Sequence, residues 1–276
     1  MPSSLRFGGH RRNGFVILPA LVAHTNRVFR LETEQEEQIV EAERQRLLDL
    51  YEGLRVTDVS DAMDIMGRQD LGSMDHNIGP LWRDVEGFKH CFVGFAHTLR
   101  FVPTNHPTIS RTPEENKAMI SKWYRELAGG PKAEIQDGDV IVIDGTDTHV
   151  GFIGSNNGFA WLLQGAVGIV TNAGCRDTDE LIRQHVPVYS SRLEKPIRPF
   201  RLEFDREQVP INCGGVLVRP GDLVVADGDG VIVVPIEVAE DVAKYAREVA
   251  NMDRAGRRRL YEKAGMEMDE TVEPLP

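Results

Sequence analysis

The chain has 276 residues, of which 41% are hydrophobic, so it can bury one substantial core or two small ones. Its formal net charge of −11 argues against general nucleic-acid binding, which favours a basic surface. The three cysteines, Cys91, Cys175 and Cys213, lie too far apart for a disulfide framework or a zinc site. No apolar run approaches the roughly 18 residues of a membrane span. We therefore expect a cytoplasmic protein in a reducing compartment, with neither nucleic acid nor membrane as a partner.

The beginning of the chain combines a possible targeting signal with a helix. Residues 10–24, HRRNGFVILPALVAH, have the basic front and short apolar centre of a secretory signal. Pro19 interrupts the apolar part, and no small-x-small cleavage site follows. We favour an ordered arm that packs on a neighbouring subunit. Residues 32–51 are rich in helix formers with a partial apolar stripe, so residues 1–54 are assigned as an arm and a helix.

Three elements are predicted before the centre of the chain. A helix over residues 55–67 has Thr57 or Ser60 as its expected N-cap. A strand over residues 92–103 partly alternates apolar with polar residues. A second, capped helix over residues 112–130, TPEENKAMISKWYRELAGG, has Pro113 near its first turn and two glycines behind it.

Two later strands begin with the same short pattern. The segments QDGDVIVIDGTD and RPGDLVVADGDGVIVVP each place a Gly-Asp pair, Gly138-Asp139 and Gly221-Asp222, before a β-branched run. We predict the same turn at both places, in which glycine supplies backbone freedom and aspartate binds neighbouring amides. A catalytic role for either aspartate is the less favoured alternative.

Between these strands, helices and strands alternate, which predicts an α/β fold with parallel pairing. Arg176 and Asp177, opposite charges side by side, follow a buried strand. Ligands bind at the carboxyl ends of strands in open α/β sheets, so a ligand site explains the pair better than a surface ion pair. The predicted elements are helices at 155–164 and 178–185 and strands at 167–171 and 186–190.

The residue types around this strand end indicate an anion and a metal. The planar guanidinium of Arg176 can bind a carboxylate with two hydrogen bonds. Asp177 is a hard oxygen ligand suited to Mg²⁺ or Mn²⁺ that keeps several waters. The amides of Ser155, Asn156 and Asn157 open a helix and can bind a carboxylate or a phosphate. An ordinary serine cap is the alternative for this segment.

Three other features have plainer interpretations. Cys175 has no adjacent histidine to activate it, so we interpret it as a packing residue. His149 is a lone histidine, which is more often structural than catalytic or substrate-orienting. There is no lysine near the motif that could form a Schiff base. There is also no G-x-G-x-x-G after a strand, which a methyltransferase would require.

Gly154-Ser155, QGAVGIVTNAGCRDTDEL and RPGDLVVADGDGVIVVP together resemble the RraA-like family. That family groups 4-hydroxy-4-methyl-2-oxoglutarate/4-carboxy-4-hydroxy-2-oxoadipate aldolases with regulators of ribonuclease E activity, and many members are labelled dimethylmenaquinone methyltransferases. Its pattern is a glycine or acid, twenty residues, Arg-Asp, two residues and an acid. Here Arg176-Asp177 and Glu180 match, whereas Ser155 departs from the first position. The resemblance covers residues 55–265.

The resemblance implies a swivelling β/β/α-type single domain at residues 55–236, with an N-terminal helical extension and a C-terminal helical tail at 237–276. It implies homotrimers or homohexamers in which Asp177 binds the metal and Arg176 binds the carboxylate of a 2-oxo acid. A glutamate from the neighbouring subunit's C-terminal helix completes the site in the aldolases, and Glu248 is the nearest candidate, with Asp253 second. Asn172 stands where many relatives carry aspartate.

The implied function is a divalent-metal-dependent lyase. It would break a C–C bond of a 2-oxo (di)carboxylic acid by retro-aldol cleavage or β-decarboxylation, through a metal-stabilised pyruvate enolate. The alternative is a non-catalytic regulator of ribonuclease E activity that acts by binding protein. The Arg176, Asp177 and Glu180 trio favours the lyase.

Overall fold

The computed structural model describes residues 38–106 and 112–276. The predicted arm at residues 10–24 lies outside them. The chain divides into two compact units, Met1–Arg46 and Leu47–Pro276. Helix α1 covers residues 38–51, the described part of the helix predicted from residue 32.

The second unit contains a nine-stranded mixed sheet whose main path runs β1-β6-β5-β3-β2-β10-β11. The strands β2, β3, β5 and β6 pair in parallel, which confirms the predicted α/β class. Strand β4 joins the edge of β5, β7 pairs with β2, and β8 and β9 form a separate hairpin. The strands are β1 (Gly79–Pro80), β2 (Phe92–Pro103), β3 (Asp139–Asp144), β4 (Gly151–Ile153), β5 (Gly168–Cys175), β6 (Val188–Leu193), β7 (Leu202–Glu207), β8 (Ile211–Cys213), β9 (Val216–Val218), β10 (Leu223–Asp227) and β11 (Gly230–Val234).

Helices cover the sheet in two groups that bury different cores. The first group packs apolar residues of β10 and β11 against an alanine-rich helix face, including Ala239, Ala243 and Ala246. The second group buries Trp161 and Leu181 with Ile141 and Ile169 of the central strands. The helices are α2 (Val56–Ile65), α3 (Pro113–Glu126), α4 (Ser155–Leu162), α5 (Thr178–Arg183) and α6 (Ala239–Ala264). In the described ranges, none of the helices has the length and apolarity needed to cross a bilayer.

The predicted cap of α2 is wrong. The helix begins at Val56 with Arg55 as its N-cap, so Thr57 and Ser60 both lie inside it. The Asp58 carboxylate accepts a hydrogen bond from the Arg55 amide at 2.9 Å and thereby closes the first turn from within. In α3 the capping signal was correct, because Thr112 accepts from the Glu115 amide at 3.2 Å.

The two strand-initiating turns have the same geometry, as predicted. Gly138 and Gly221 both have a φ of +82°, which glycine adopts without strain. Asp139 accepts a hydrogen bond from the Gln136 amide at 3.0 Å, and Asp222 accepts one from the Arg219 amide at 2.8 Å. Burial raises the pKa of Asp222 above its ordinary value. The local-bonding interpretation is therefore confirmed.

Strand β5 is longer than predicted, and the expected loop after Thr171 is wrong. The strand runs to Cys175 because β4 pairs with its last residues, where the Gly174 amide donates to the Val150 carbonyl at 2.9 Å. The predicted strand ended at Thr171, because the apolar run gives way to the polar Asn172 there. The extension places Arg176 directly after the strand's last residue.

Candidate functional site

Asp177 has a strained backbone at the start of α5. It is the N-cap residue, with φ 53° and ψ 43° in the left-handed region, yet its side chain makes no capping hydrogen bond. Non-glycine residues adopt this conformation rarely, and such strain concentrates at functional sites. Because the carboxylate does not serve the helix, it is available to another partner.

The Arg176–Asp177 ion pair is weak. Arg176 Nε lies 3.2 Å from Asp177 Oδ1, and the two side chains are 35% and 39% exposed. Arg176 Nη1 also donates to the Lys195 carbonyl at 3.4 Å. A pair this exposed contributes at most about 1 kcal/mol to stability. Stability alone therefore gives little reason for these two residues to stand together.

Two glycines let the backbone approach this pair closely. A Cβ on Gly154 would lie 2.4 Å from Asp177 Oδ2, and a Cβ on Gly151 would lie 3.0 Å from both Cβ and Cδ of Arg176. No larger residue fits at either place without moving the charged side chains. Sequence reasoning missed Gly151, although its spacing of three from Gly154 in GFIG was a visible signal.

The N-terminus of α4 lies against Asp177 and offers unused donors. Gly154 is the N-cap and has no side chain, so the alternative of an ordinary serine cap is wrong. Among the described residues, no group accepts a hydrogen bond from the amides of Ser155, Asn156 or Asn157. Amides at a helix N-terminus together with the helix dipole favour an anion. This strand end therefore combines three backbone donors, a guanidinium and a carboxylate.

The donor set fits one kind of metal site. Within residues 38–106 and 112–276, no group of three or more His, Cys, Asp or Glu is placed to hold a metal ion. A closed site made of protein ligands is thus absent from these ranges. Mg²⁺ and Mn²⁺ can bind through one carboxylate, with waters and substrate completing the shell. The partly exposed Asp177 carboxylate suits that arrangement.

His149 is held by a residue that the sequence did not single out. Its Nδ1 lies 2.7 Å from Glu194 Oε1, and His149 is 81% exposed whereas Glu194 is 17% exposed. The Glu194 carbonyl lies close to Gly151. His149 lies two residues before β4, and a substrate-orienting role for it stays a prediction.

The other predicted residues of β5 and α5 have simple surroundings. Cys175 is fully buried and accepts a hydrogen bond from Ser190 Oγ at 3.3 Å, and burial raises the pKa of its thiol. This confirms a packing role. The side-chain oxygen of Asn172 accepts a hydrogen bond from the Gly145 amide at 2.8 Å. Glu180 is exposed in the first turn of α5.

The two C-terminal candidates lie on α6, which packs on α2 rather than on α4 or α5. Glu248 is exposed on that helix. Asp253 Oδ2 lies 3.1 Å from Arg55 Nη2 and is therefore engaged within its own chain. Among the described residues of one chain, neither acid forms an ion pair with Arg176, so Glu248, with Asp253 second, stays a prediction for a site in a neighbouring copy.

Comparison with known proteins identifies the family. The family model described as RraA-like, Aldolase/RraA, matches residues 56–233. The chain belongs to the RraA-like family. This match includes every residue of the Arg176 site described above. It ends before α6, the helix that carries Glu248.

Two curated relatives carry an aldolase name. A protein of Halalkalibacterium halodurans named "Putative 4-hydroxy-4-methyl-2-oxoglutarate aldolase" is 34% identical over 155 residues, covering 55% of this chain and 69% of that protein. A protein of the same name from Deinococcus radiodurans is 31% identical over 159 residues, covering 57% and 86%. The family member described here is thus similar to proteins named as aldolases.

Solved structures confirm the mixed α/β RraA-like fold. An uncharacterized protein from Pseudomonas syringae pv. tomato matches with a TM-score of 0.61 at 26% identity, covering 83% of this chain and 98% of that one. Streptomyces coelicolor RraAS2, described as an unusual member of the RNase ES inhibitor RraA protein family, matches with a TM-score of 0.56 at 23% identity, covering 79% and 96%. The second likeness shows the fold alone.

Proposed function

We propose that this protein is a divalent-metal-dependent carbon–carbon lyase acting on a 2-oxo (di)carboxylic acid. The observation that carries the proposal is the meeting of Arg176 and Asp177 with the uncapped N-terminus of α4. The aldolase names of the two relatives agree with this chemistry. A surface used only to bind a ribonuclease has no need for a strained aspartate beside unused helix amides.

The binding roles follow from charge and geometry. The amides of Ser155, Asn156 and Asn157 would donate hydrogen bonds to one carboxylate of the substrate. Arg176 would grip a carboxylate through its planar guanidinium and then oppose the negative charge that develops as the C–C bond breaks. Both groups are positive and lie beside each other at the same strand end, so a dianionic acid would be attracted there before reaction.

Asp177 would hold Mg²⁺ or Mn²⁺, and the bound ion would supply Lewis-acid polarisation of the 2-oxo group. The chain supplies the rest of the environment. Gly154 keeps the Asp177 carboxylate against the helix N-terminus, and the Lys195 carbonyl holds one nitrogen of Arg176. The two charged side chains therefore stay side by side, joined by one partly exposed contact of 3.2 Å.

The two reactions differ only in the leaving group. In both, the C3–C4 bond breaks and its electron pair stays with C3, giving the enolate of pyruvate, which is then protonated at C3. In a retro-aldol cleavage the C4 hydroxyl loses its proton and C4 leaves as a carbonyl compound. In β-decarboxylation C4 leaves as carbon dioxide.

Pyruvate release from oxaloacetate tests the proposal. We expect turnover with Mg²⁺ or Mn²⁺, loss of turnover with EDTA, and recovery when metal is restored. 4-Hydroxy-4-methyl-2-oxoglutarate provides the retro-aldol arm of the same assay. If neither acid yields pyruvate with either metal, the lyase proposal is wrong, and inhibition of ribonuclease E becomes the measurement to make.

We also propose a homotrimer or a dimer of trimers, in which Glu248 of the next copy completes the site. Light scattering at working concentration measures the assembly. A monomer that turns over substrate would contradict this arrangement and leave Glu248 without a role.

A further inference from the structure

A second concave site lies at the same edge of the sheet as Arg176. It is a cavity of about 210 Å³ formed where β3, β5 and β6 end, with the tip of the β8–β9 hairpin and residues 75–78 opposite. Its wall includes Asn172, which precedes Arg176 by four residues, about 13 Å along an extended strand. Carboxyl ends of parallel strands are where open α/β sheets bind ligands.

One wall of the cavity is held under strain. Thr146 and Asp147 both have left-handed backbones, with φ of 57° and 52°. Two adjacent non-glycine residues in this region are costly and persist only when the surroundings hold them. Arg192 does so, because its Nη2 binds the Asp147 carboxylate and its Nη1 donates to the Asp147 carbonyl at 3.3 Å. These contacts hold Asp147, which is 70% exposed, at the rim of the cavity.

The opposite wall is fitted closely to its neighbours. A Cβ on Gly214 at the hairpin tip would lie 2.6 Å from Ile78 Cδ1, so the hairpin and residues 75–78 are in tight contact. Asn172 Nδ2 donates to Asp144 Oδ1 at 3.1 Å and to the Asn212 carbonyl at 3.3 Å, joining strand ends to the hairpin. These contacts join the hairpin, residues 75–78 and the strand ends around an open-sided cavity.

The cavity presents unused acceptors and a donor. Asp75 Oδ1 accepts from both the amide and the side-chain nitrogen of Asn77 at 2.8 Å. Asn212 Oδ1 accepts from the Gly215 amide at 3.2 Å. In the part of the chain that the structure describes, Asp75 Oδ2, Asn77 Oδ1 and Asn212 Nδ2 have no hydrogen-bond partner. The Asn77 amide lowers the pKa of Asp75, so this carboxylate is charged at neutral pH.

The charges of the residues that line the cavity indicate the class of ligand that it can bind. Asp75 and Asp147 are two carboxylates, whereas Arg192 is one guanidinium that already binds Asp147. The net negative charge repels a 2-oxo acid, and the guanidinium opposes a bare cation. A hydroxyl group both donates and accepts, which matches the mixture of acceptors and donor. We propose that this cavity binds a neutral, multiply hydroxylated small molecule of the polyol or sugar class.

Xylitol and sorbitol are the probes, with oxaloacetate as the anionic comparison. Saturable binding of a polyol, measured by calorimetry or ligand-detected NMR, is expected for the full chain without added metal. Asp75→Asn should weaken binding at least about tenfold, because the charged acceptor is lost. Asp61→Asn, an exposed change on α2, is the matched control and should leave the affinity unchanged.

Asn77→Trp should fill the cavity and abolish polyol binding, with a melting curve to show that the protein is folded. Asp177→Asn should bind the polyol as the wild type does, so this test is independent of the proposed lyase activity. Absence of saturable polyol binding overturns the proposal. Equal affinity in Asp75→Asn, or loss of binding in Asp177→Asn, overturns it as well, because the ligand would then lie elsewhere.

Discussion

Two Arg–Asp pairs in this molecule have opposite designs. At the start of α2, Asp58 is 1% exposed and accepts from the Arg55 amide, Nε and Nη2 at 2.9, 3.0 and 2.5 Å. At the end of β5, Asp177 is 39% exposed and has one contact of 3.2 Å with Arg176. Both are short sequence patterns of arginine followed by aspartate near a helix start. Only the second leaves its carboxylate available.

The difference separates a pair that builds the fold from one that binds a ligand. Asp58 raises the pKa of Arg55 through its hydrogen bond, closes the first turn of α2, and has no oxygen to spare for a ligand. Asp177 has a strained backbone, and its side chain makes no capping hydrogen bond. Both aspartates form an ion pair. The two roles therefore differ in whether the carboxylate oxygens are already occupied by hydrogen bonds.

The largest expected effect comes from Asp177→Asn. Asparagine tolerates the left-handed backbone and keeps the shape, but it loses the charge that would hold Mg²⁺. We expect pyruvate release to fall by about 1,000-fold, with Mn²⁺ binding lost and the melting temperature preserved. Steady-state kinetics, an EPR titration of Mn²⁺ and a melting curve measure these three quantities. Turnover at the wild-type rate in this variant would show that the metal assignment is wrong.

Next in size is Arg176→Lys. Lysine keeps the charge but lacks the planar two-donor guanidinium, and a lost charge-assisted pair to the substrate costs about 2–3 kcal/mol, roughly 30- to 150-fold in kcat/KM. Mn²⁺ binding should be nearly unchanged, since Asp177 is retained. A stable Arg176→Lys protein with near-normal kcat/KM would refute the substrate-binding role.

A smaller effect is expected for Gly154→Ala. The new Cβ would lie 2.4 Å from Asp177 Oδ2 and must push the carboxylate from the helix N-terminus, so we expect about a tenfold loss of kcat/KM. Gly79→Ala is the matched control, because its Cβ meets nothing within 4 Å. Equal kinetics in both alanine variants would mean that the position of the Asp177 carboxylate does not matter.

The smallest effect on activity is expected for Asp58→Ala. Removing this carboxylate deletes the cap and the ion pair, so the free energy of unfolding should fall by about 2 kcal/mol. The kcat/KM per folded molecule should not change. Denaturant unfolding combined with the pyruvate assay checks both values. A large loss of turnover in the folded Asp58→Ala protein would remove the distinction between the two pairs.

Local patterns predicted much of the fold. Strand β2, the Thr112 cap and the two Gly-Asp turns were readable because each depends on residues adjacent in the chain. The length of β5 was not readable, because its last residues are strand through pairing with the distant segments β4 and β6. The β8–β9 hairpin was not predicted either, since strands of three residues each are too short to show a periodic pattern.

The residues of the site could be predicted from the sequence, but their contacts could not. Arg176, Asp177 and the α4 amides follow from one motif and one helix start. The contact of His149 with Glu194 depends on how β4 lies along β5. The cap of α2 shows the converse error, because Asp58 acts from inside the helix and a search for a preceding cap overlooks it.

The unused amides at the start of α4 have a consequence for protein engineering. Backbone donors do not depend on the side chains of Ser155, Asn156 and Asn157, so these three positions can be randomised while the donors persist. Gly151 and Gly154 cannot be varied in the same library, because any Cβ there displaces Arg176 or Asp177. A library for altered substrate preference should therefore hold the two glycines constant and diversify the three residues beyond them.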